Sequence, residues 1–234
     1  MAGGPVSPRA EVPAGVLAAA VITVLTLLGV GVRYYSHGDL NAIHCLFSLF
    51  FSTNLLICYW EACLFLRRDY IEARAEHWRE RRRETGRIPA GEFLATRVPL
   101  GRMASPTVWA DVWATYSTVD PAYTDRRTFG FNADIANGFA TPLPTLVLYA
   151  AYGTGFLPAV VAGIVGVGLF WQWTYVSSLY WISFFVAGEH RRISRGELCT
   201  YVGATNAVWV LCPIFGLYVS VRLILDGNYG ILGF

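Results

Sequence analysis

From residue 135 to residue 188 the chain carries no charged side chain, 54 positions in succession. About 20 apolar residues cross the roughly 30 Å hydrocarbon layer of a membrane as a helix. This run therefore holds two crossings, with Gly153, Gly155 and Pro158 as the break between them. Three shorter uncharged runs accompany it: 12–32 between Glu11 and Arg33, 40–66 between Asp39 and Arg67 with Glu61 as its one interruption, and 198–221 up to Arg222. The pattern predicts an all-α integral membrane bundle of five transmembrane helices in a single domain over 1–234, at about 13–33, 42–66, 129–151, 157–186 and 199–222.

Composition excludes the main alternatives. Charged residues make up 15% of the chain and hydrophobic ones 55%, where a soluble domain carries about 25% charge. The 35 Trp, Tyr and Phe residues exclude disorder. A net charge of +2, with no basic stripe, excludes a nucleic-acid footprint. The first apolar run is too long for the core of a signal peptide and four more follow it, so it is read as retained.

Orientation follows from the basic residues, all eighteen of them Arg. Arg9, twelve Arg in the loop 67–128 and three in the loop 187–198 lie on one side, against Arg33 and Arg222 on the other. Positive charge stays inside, which places the N-terminus in the cytoplasm and the C-terminus outside. The host membrane is the endoplasmic reticulum for a eukaryotic chain and the inner membrane for a bacterial one. Within the long loop, residues 69–85 read as a charged, solvated helical extension of the second span. A further helix starts near 105 with Ser105 as N-cap and Pro106 at its first position. Its apolar stripe of Trp109, Val112, Trp113 and Tyr116 suits the membrane interface.

Two carboxylates fall inside spans. Glu61 lies six residues before Arg67 and Asp134 seven after Arg127, which puts both roughly 9–10 Å below the same Arg-rich side at about 1.5 Å per residue. A charge at that depth costs several kcal/mol unless paired or hydrated. Asn132 and Asn137 flank Asp134, Asn54 lies seven residues before Glu61, Tyr175, Ser178 and Tyr180 lie toward the same side, and Asn206 and Trp209 share a face of the last span. Singly, an intramembrane Asn is interhelical glue more often than a ligand. Together they predict a polar pocket in one leaflet with an aliphatic floor, suited to an amphipathic lipid.

Other signals read as structural. Gly163, Gly166 and Gly168 mark close helix packing, and Pro142 and Pro144 kink the third span. The five Cys lack any Cys-x-x-Cys spacing and read as packing residues, and the four His form no metal-ligand grouping. Neither a metal nor a cofactor is expected.

The residues resemble a known family. Trp113-Ala-Thr-Tyr116-Ser-Thr-Val-Asp120-Pro-Ala-Tyr123 resembles the W-x-x-Y-x-x-x-D-x-x-Y segment before the third span of emopamil-binding proteins, the sterol Δ8–Δ7 isomerases of the EXPERA superfamily. Asn206-Ala-Val-Trp209-Val-Leu-Cys-Pro213 resembles their N-A-L-W-x-x-x-P, and Trp173-Thr-Tyr175 with Leu179-Tyr180 is similar to their fourth span. The likeness covers about residues 50–222. It places Glu61 at the family's span-two glutamate, Asp134 at its span-three glutamate, Asn206 and Trp209 at its last-span pair, and Asn137 where the family has threonine. Ile57 stands where the family has histidine.

The resemblance implies an intramembrane isomerase with Glu61 and Asp134 as the catalytic pair. Moving a double bond in a polycyclic lipid means protonating one alkene carbon and removing a proton beside the resulting cation. Two carboxyl groups sharing a site of low dielectric resist ionising together, which keeps one as an acid. Trp209 would stabilise the cation, by ~2 kcal/mol when desolvated, and Asn206 and Asn137 would orient a carboxyl or the lipid hydroxyl. Tyr175 and Trp113 would line the substrate site, and Tyr123 and Asp120 would sit at its mouth. The implied partners are a sterol-like or terpenoid lipid and the membrane, with room for a homodimer and no nucleic acid. Two other classes remain open: a non-catalytic lipid-binding or transport protein in the manner of the sigma-2 receptor, which the apolar Ile57 favours, and a membrane terpenoid cyclase.

Overall fold

The structure, a computed structural model, describes residues 10–234. Arg9, which the orientation count includes, lies outside the described residues. Among the described residues, four helices are long and apolar enough to cross a membrane: α1 (Ala14–His37), α2 (Ala42–Leu66), α8 (Ala159–Val186) and α9 (Arg195–Asp226). Between α2 and α8 lie α3 (Arg68–Thr85), α4 (Ala90–Ala95), α5 (Pro106–Tyr116), α6 (Phe129–Ala140) and α7 (Pro142–Thr154). The result is an all-α membrane bundle. Only 6% of the apolar window of α1 is buried within the chain, and Leu27 and Leu28 stand outward. An unbroken apolar face of that kind belongs against lipid.

The expected third span is two helices. Pro142 has no N–H to continue α6 and its ring crowds the preceding turn, but at the first position of a new helix neither defect matters. The chain therefore restarts at Pro142 as α7. Together α6 and α7 run antiparallel to α2 over its whole length. Gly138 lies on Glu61, Thr141 on Cys58, Thr145 on Asn54, Tyr149 on Ser52 and Gly153 on His44. Asn54 belongs to this seam, hydrogen-bonded to Thr145 Oγ1 and Cys58 Sγ, and not to a pocket as its spacing from Glu61 suggested.

The 69–85 segment is likewise more than a solvated extension. Arg67 leaves helical geometry (φ −126°, ψ 22°) and ends α2. α3 then buries Ile71, Ala75 and Trp78 against α5, and Arg74 and Trp78 Nε1 both bond to Asp111 Oδ1 at 3.1 Å. The stripe of α5 faces inward: Trp109 stacks on Trp60 at 5.5 Å, and Trp113 Nε1 donates to the Trp60 carbonyl at 2.6 Å. Burial against α2 uses up the surface that the pattern assigned to the membrane interface.

A ribbon that periodicity did not announce, β1 (Glu11–Pro13) antiparallel to β2 (Arg97–Pro99) with Val12 opposite Val98, ties the loop to the start of α1. Arg82 bonds to Glu197 at 3.0 Å and to the Thr118 carbonyl, joining α3 to the start of α9. There Ser194 and Glu197 form a reciprocal capping box. At the opposite end Phe234 lies over the buried Arg33 guanidinium, 5.1 Å away, and stacks on His37.

α8 and α9 make the most extensive helix pair, and small residues permit it. A methyl group on Gly163 would meet Ile224 Cγ1 at 2.6 Å and the Ser220 carbonyl at 2.7 Å, whereas one on Gly168 meets nothing within 4 Å. Gly163→Ala is therefore expected to cost about 1–3 kcal/mol by overpacking, while Gly168→Ala is neutral or stabilising by up to about 1 kcal/mol. Thermal unfolding of both variants in detergent checks the contrast.

Candidate functional site

A cavity of about 670 Å³ lies among α1, α2, α5, α6, α8 and α9, within the roughly 300–1,000 Å³ of ordinary small-ligand sites. Glu61 from α2 and Asp134 from α6 both open on it. Around them stand Asn137, Trp113, Tyr123, Asn206 and Trp209, all of them candidates from the sequence. Leu46 and Leu49 of α2 and Val208 of α9 line the cavity and are exposed. α2 and α9 thus contribute part-exposed apolar side chains to its wall.

Helix phase and close approach set the carboxyl groups. A Cβ on Gly138 would stand 2.7 Å from Glu61 Cβ and 3.0 Å from the Cys58 carbonyl, so only glycine lets α6 come this close to α2. The adjacent Asn137 then donates from Nδ2 to Glu61 Oε1 at 2.9 Å and to Oε2 at 2.6 Å. The direction of that amide is not free. Trp173 Nε1, a donor only, reaches Asn137 Oδ1 at 3.1 Å, which fixes the oxygen on that side and the NH₂ toward Glu61. Asp134 is held differently: Tyr123 Oη donates to its Oδ2 at 2.6 Å, with no hydrogen bond to Oδ1 among the described residues.

The far walls are aromatic and aliphatic. Trp209 meets Phe50 edge to face at 5.3 Å, as Trp173 does, and Trp113 stacks on Tyr123 at 4.8 Å. Ile57 forms part of the wall. At its start α9 widens into a π-helical stretch, Leu198–Ala204, a feature frequent at functional sites. The Val202 carbonyl there accepts from Trp181 Nε1 and from Asn206 Nδ2, both at 3.0 Å, and the Tyr201 carbonyl accepts from Tyr116 Oη.

Two candidates lie elsewhere. Tyr175 is 51% exposed and stacks on Trp171 at 6.0 Å, on the outer face of α8. Trp173, Val176, Ser177 and Tyr180 hold the cavity face of that helix, and position 175 falls between these turns. Asp120 is buried beside a separate hollow, its carboxyl accepting from the Ala122 N–H at 2.9 Å. Asn132 turns back to the Arg126 and Thr128 carbonyls and caps its own helix, and Ser178 Oγ donates to the Thr174 carbonyl. Among the residues that sequence reasoning passed over, Gly138 and Trp173 matter most. The indole at 173 was legible only as part of a motif, and Gly138 carried no signal beyond its place beside Asn137.

No family model, no characterised protein and no solved structure matches this chain significantly. What the site does has to follow from its own geometry.

Removing one member of the Glu61–Asn137 pair strands the other. Asn137→Leu is expected to lower stability by about 1–3 kcal/mol, and the double variant Glu61→Leu/Asn137→Leu to recover only the part due to Glu61, since Trp173 Nε1 still lacks its acceptor; a thermal double-mutant cycle reads it. Burial pushes the Asp120 carboxyl above the usual carboxylate range. The folded state then keeps its proton to higher pH than the unfolded chain, so stability is lost as pH rises through that titration. Asp120→Asn keeps the cap on Ala122 and removes this loss. It is expected to raise Tm at neutral pH, and the gain should vanish as pH falls below the ordinary value of 3.8.

Proposed function

We propose that the protein is an intramembrane isomerase that shifts a carbon–carbon double bond in a sterol-like or other polycyclic lipid. The observation that carries this reading is the pair of carboxyl groups, Glu61 and Asp134, on one lipid-sized and largely apolar cavity among the apolar helices. Asp134, with Oδ1 free, gives its proton to one alkene carbon, and the π electrons become the new C–H bond. Glu61, held as an acceptor by Asn137, removes a proton beside the cation, and the electrons of that C–H bond form the new double bond. Exchange with solvent resets the site, Glu61 losing the proton it took and Asp134 regaining one, so each cycle neither gains nor loses a proton overall. Trp209 and the other aromatic walls stabilise the cation without attacking it.

The likeness to emopamil-binding proteins supports this reading, because Trp113, Tyr123, Asn206 and Trp209 of its motifs line the cavity. In this account α6 and α7 together make a fifth crossing, and the Arg-rich end lies in the cytoplasm. A lipid with one polar group fits a cavity polar at that end and aliphatic toward Leu46, Leu49 and Cys212. A second reading, a lipid-binding protein without turnover, is favoured by Ile57 and by the absence of histidine from the cavity wall among the described residues.

Glu61→Gln and Asp134→Asn are each expected to lower turnover of a Δ8-sterol by about 10² or more, the scale of acid–base catalysis, while ligand-dependent thermal stabilisation persists. Full turnover in both variants overturns the isomerase. Stabilisation by the sterol with no turnover in the wild type selects the binding protein, and products with new rings select a cyclase.

A further inference from the structure

The large cavity has a smaller neighbour. Beside the start of α6 and the end of α8 lies a second hollow of about 190 Å³, and Gly130 and Tyr180 line both spaces. Packing does not require the glycine. Gly138 and Gly163 admit no side chain, since a Cβ would stand 2.7 Å and 2.6 Å from a neighbour. A Cβ on Gly130 would stand 3.7 Å from the Tyr180 ring and 3.8 Å from Tyr123 Oη, ordinary contact distances, and its φ is not positive. Alanine would fit. Glycine leaves a methyl-wide gap where the two hollows meet, next to the hydroxyl that holds Asp134.

The second hollow is lined by hydrogen-bond acceptors. Asp120, Asp125 and Glu189 face it, and no Arg or His lines it among the described residues. The exposed Arg127 and Arg192 engage Asp125 and Glu189. Asp120 has no such partner among the described residues. It is 2% exposed, one of its oxygens accepts from the Ala122 N–H at 2.9 Å, and the other accepts no hydrogen bond. A buried acceptor left without a donor is costly, and a hydroxyl group supplies the donor. We infer that the hydroxyl of the bound lipid passes Gly130 and rests in the second hollow against Asp120, with the double bond held one helical turn further along, at Asp134. Gly130 and Asp134 share a face of α6, about 6 Å apart along its axis. That is close to the span of two fused six-membered rings, which selects a polycyclic lipid with its hydroxyl on a terminal ring and its double bond across the next. The place of the double bond rests on the isomerase reading; the place of the hydroxyl does not.

The test compares two Δ8-sterols, one with a 3-hydroxyl group and its 3-deoxy counterpart, on wild type, Gly130→Ala and Asp120→Ala in detergent–lipid micelles. Affinity is read from ligand-dependent thermal stabilisation. The wild type is expected to bind the hydroxylated sterol about tenfold tighter or more. In both variants that preference is expected to vanish, because a methyl group fills the gap in the first and the acceptor is gone in the second. The preference is a ratio within each protein, so a change in stability cancels, and Gly130→Ala carries the test alone if Asp120→Ala fails to fold. Equal affinities in the wild type, a preference that Gly130→Ala leaves unchanged, or binding of neither sterol overturns the inference. The same mixtures are assayed for a shifted double bond. A preference without isomerisation in the wild type removes the isomerase and leaves the hydroxyl site. Isomerisation of both sterols, bound with equal affinity, removes the site alone.

Discussion

A carboxyl group 3% exposed among apolar helices is tolerable only if hydrogen-bond donors meet it, because burying one unpaired costs several kcal/mol. Glu61 is met by Asn137, Asn137 is turned by Trp173, and Trp173 is held by Phe50 and Phe170. This chain of contacts crosses α2, α6 and α8, and it needs α6 pressed onto α2 at Gly138. The restart at Pro142 gives α6 a direction independent of α7, so the upper helix serves the site while the lower one packs on α2 through Thr145, Tyr149 and Tyr152. Stability and the placing of the catalytic candidate are one constraint here.

The polar groups that do not touch a carboxyl are placed by backbone. The π-helical stretch at the start of α9 leaves the Tyr201 and Val202 carbonyls free for the side chains of α5, α8 and Asn206. α5 is thereby joined to α8 through Tyr116 and Tyr180, and to α2 through Trp113. This loop helix, tied at both edges, contributes Val112, Trp113 and Tyr116 to the cavity wall.

Hydropathy was enough to read the long helices, because a 24- or 25-residue apolar stretch has few other ways to satisfy its backbone in lipid. It put the start of α1 and α8 within two residues of their observed positions, and the Gly155–Pro158 break falls between α7 and α8 as expected. Depth counted from Arg67 and Arg127 brought Glu61 and Asp134 to one cavity, since both helices end at the same side. What hydropathy could not express is helix phase against several neighbours. Tyr175 and Asn54 sit at the right depth and on the wrong side, one turned to the outer surface and the other locked in the α2–α7 seam. The inward turn of the Trp109–Trp113 stripe depended on Trp60 being there to receive it, a contact 53 residues away in sequence for Trp113. The β1–β2 ribbon rests on three residues per strand with proline in each, too short for any periodicity to declare.

The central claim is that Asp134 and Glu61 exchange protons with carbon. Incubation of the wild type in heavy water with a Δ8-sterol, read by mass spectrometry, tests it most directly. The account predicts a Δ7 product carrying one deuterium, absent when Glu61→Gln replaces the wild type. Unchanged sterol without deuterium, from protein that the same sterol stabilises against heat, would contradict it.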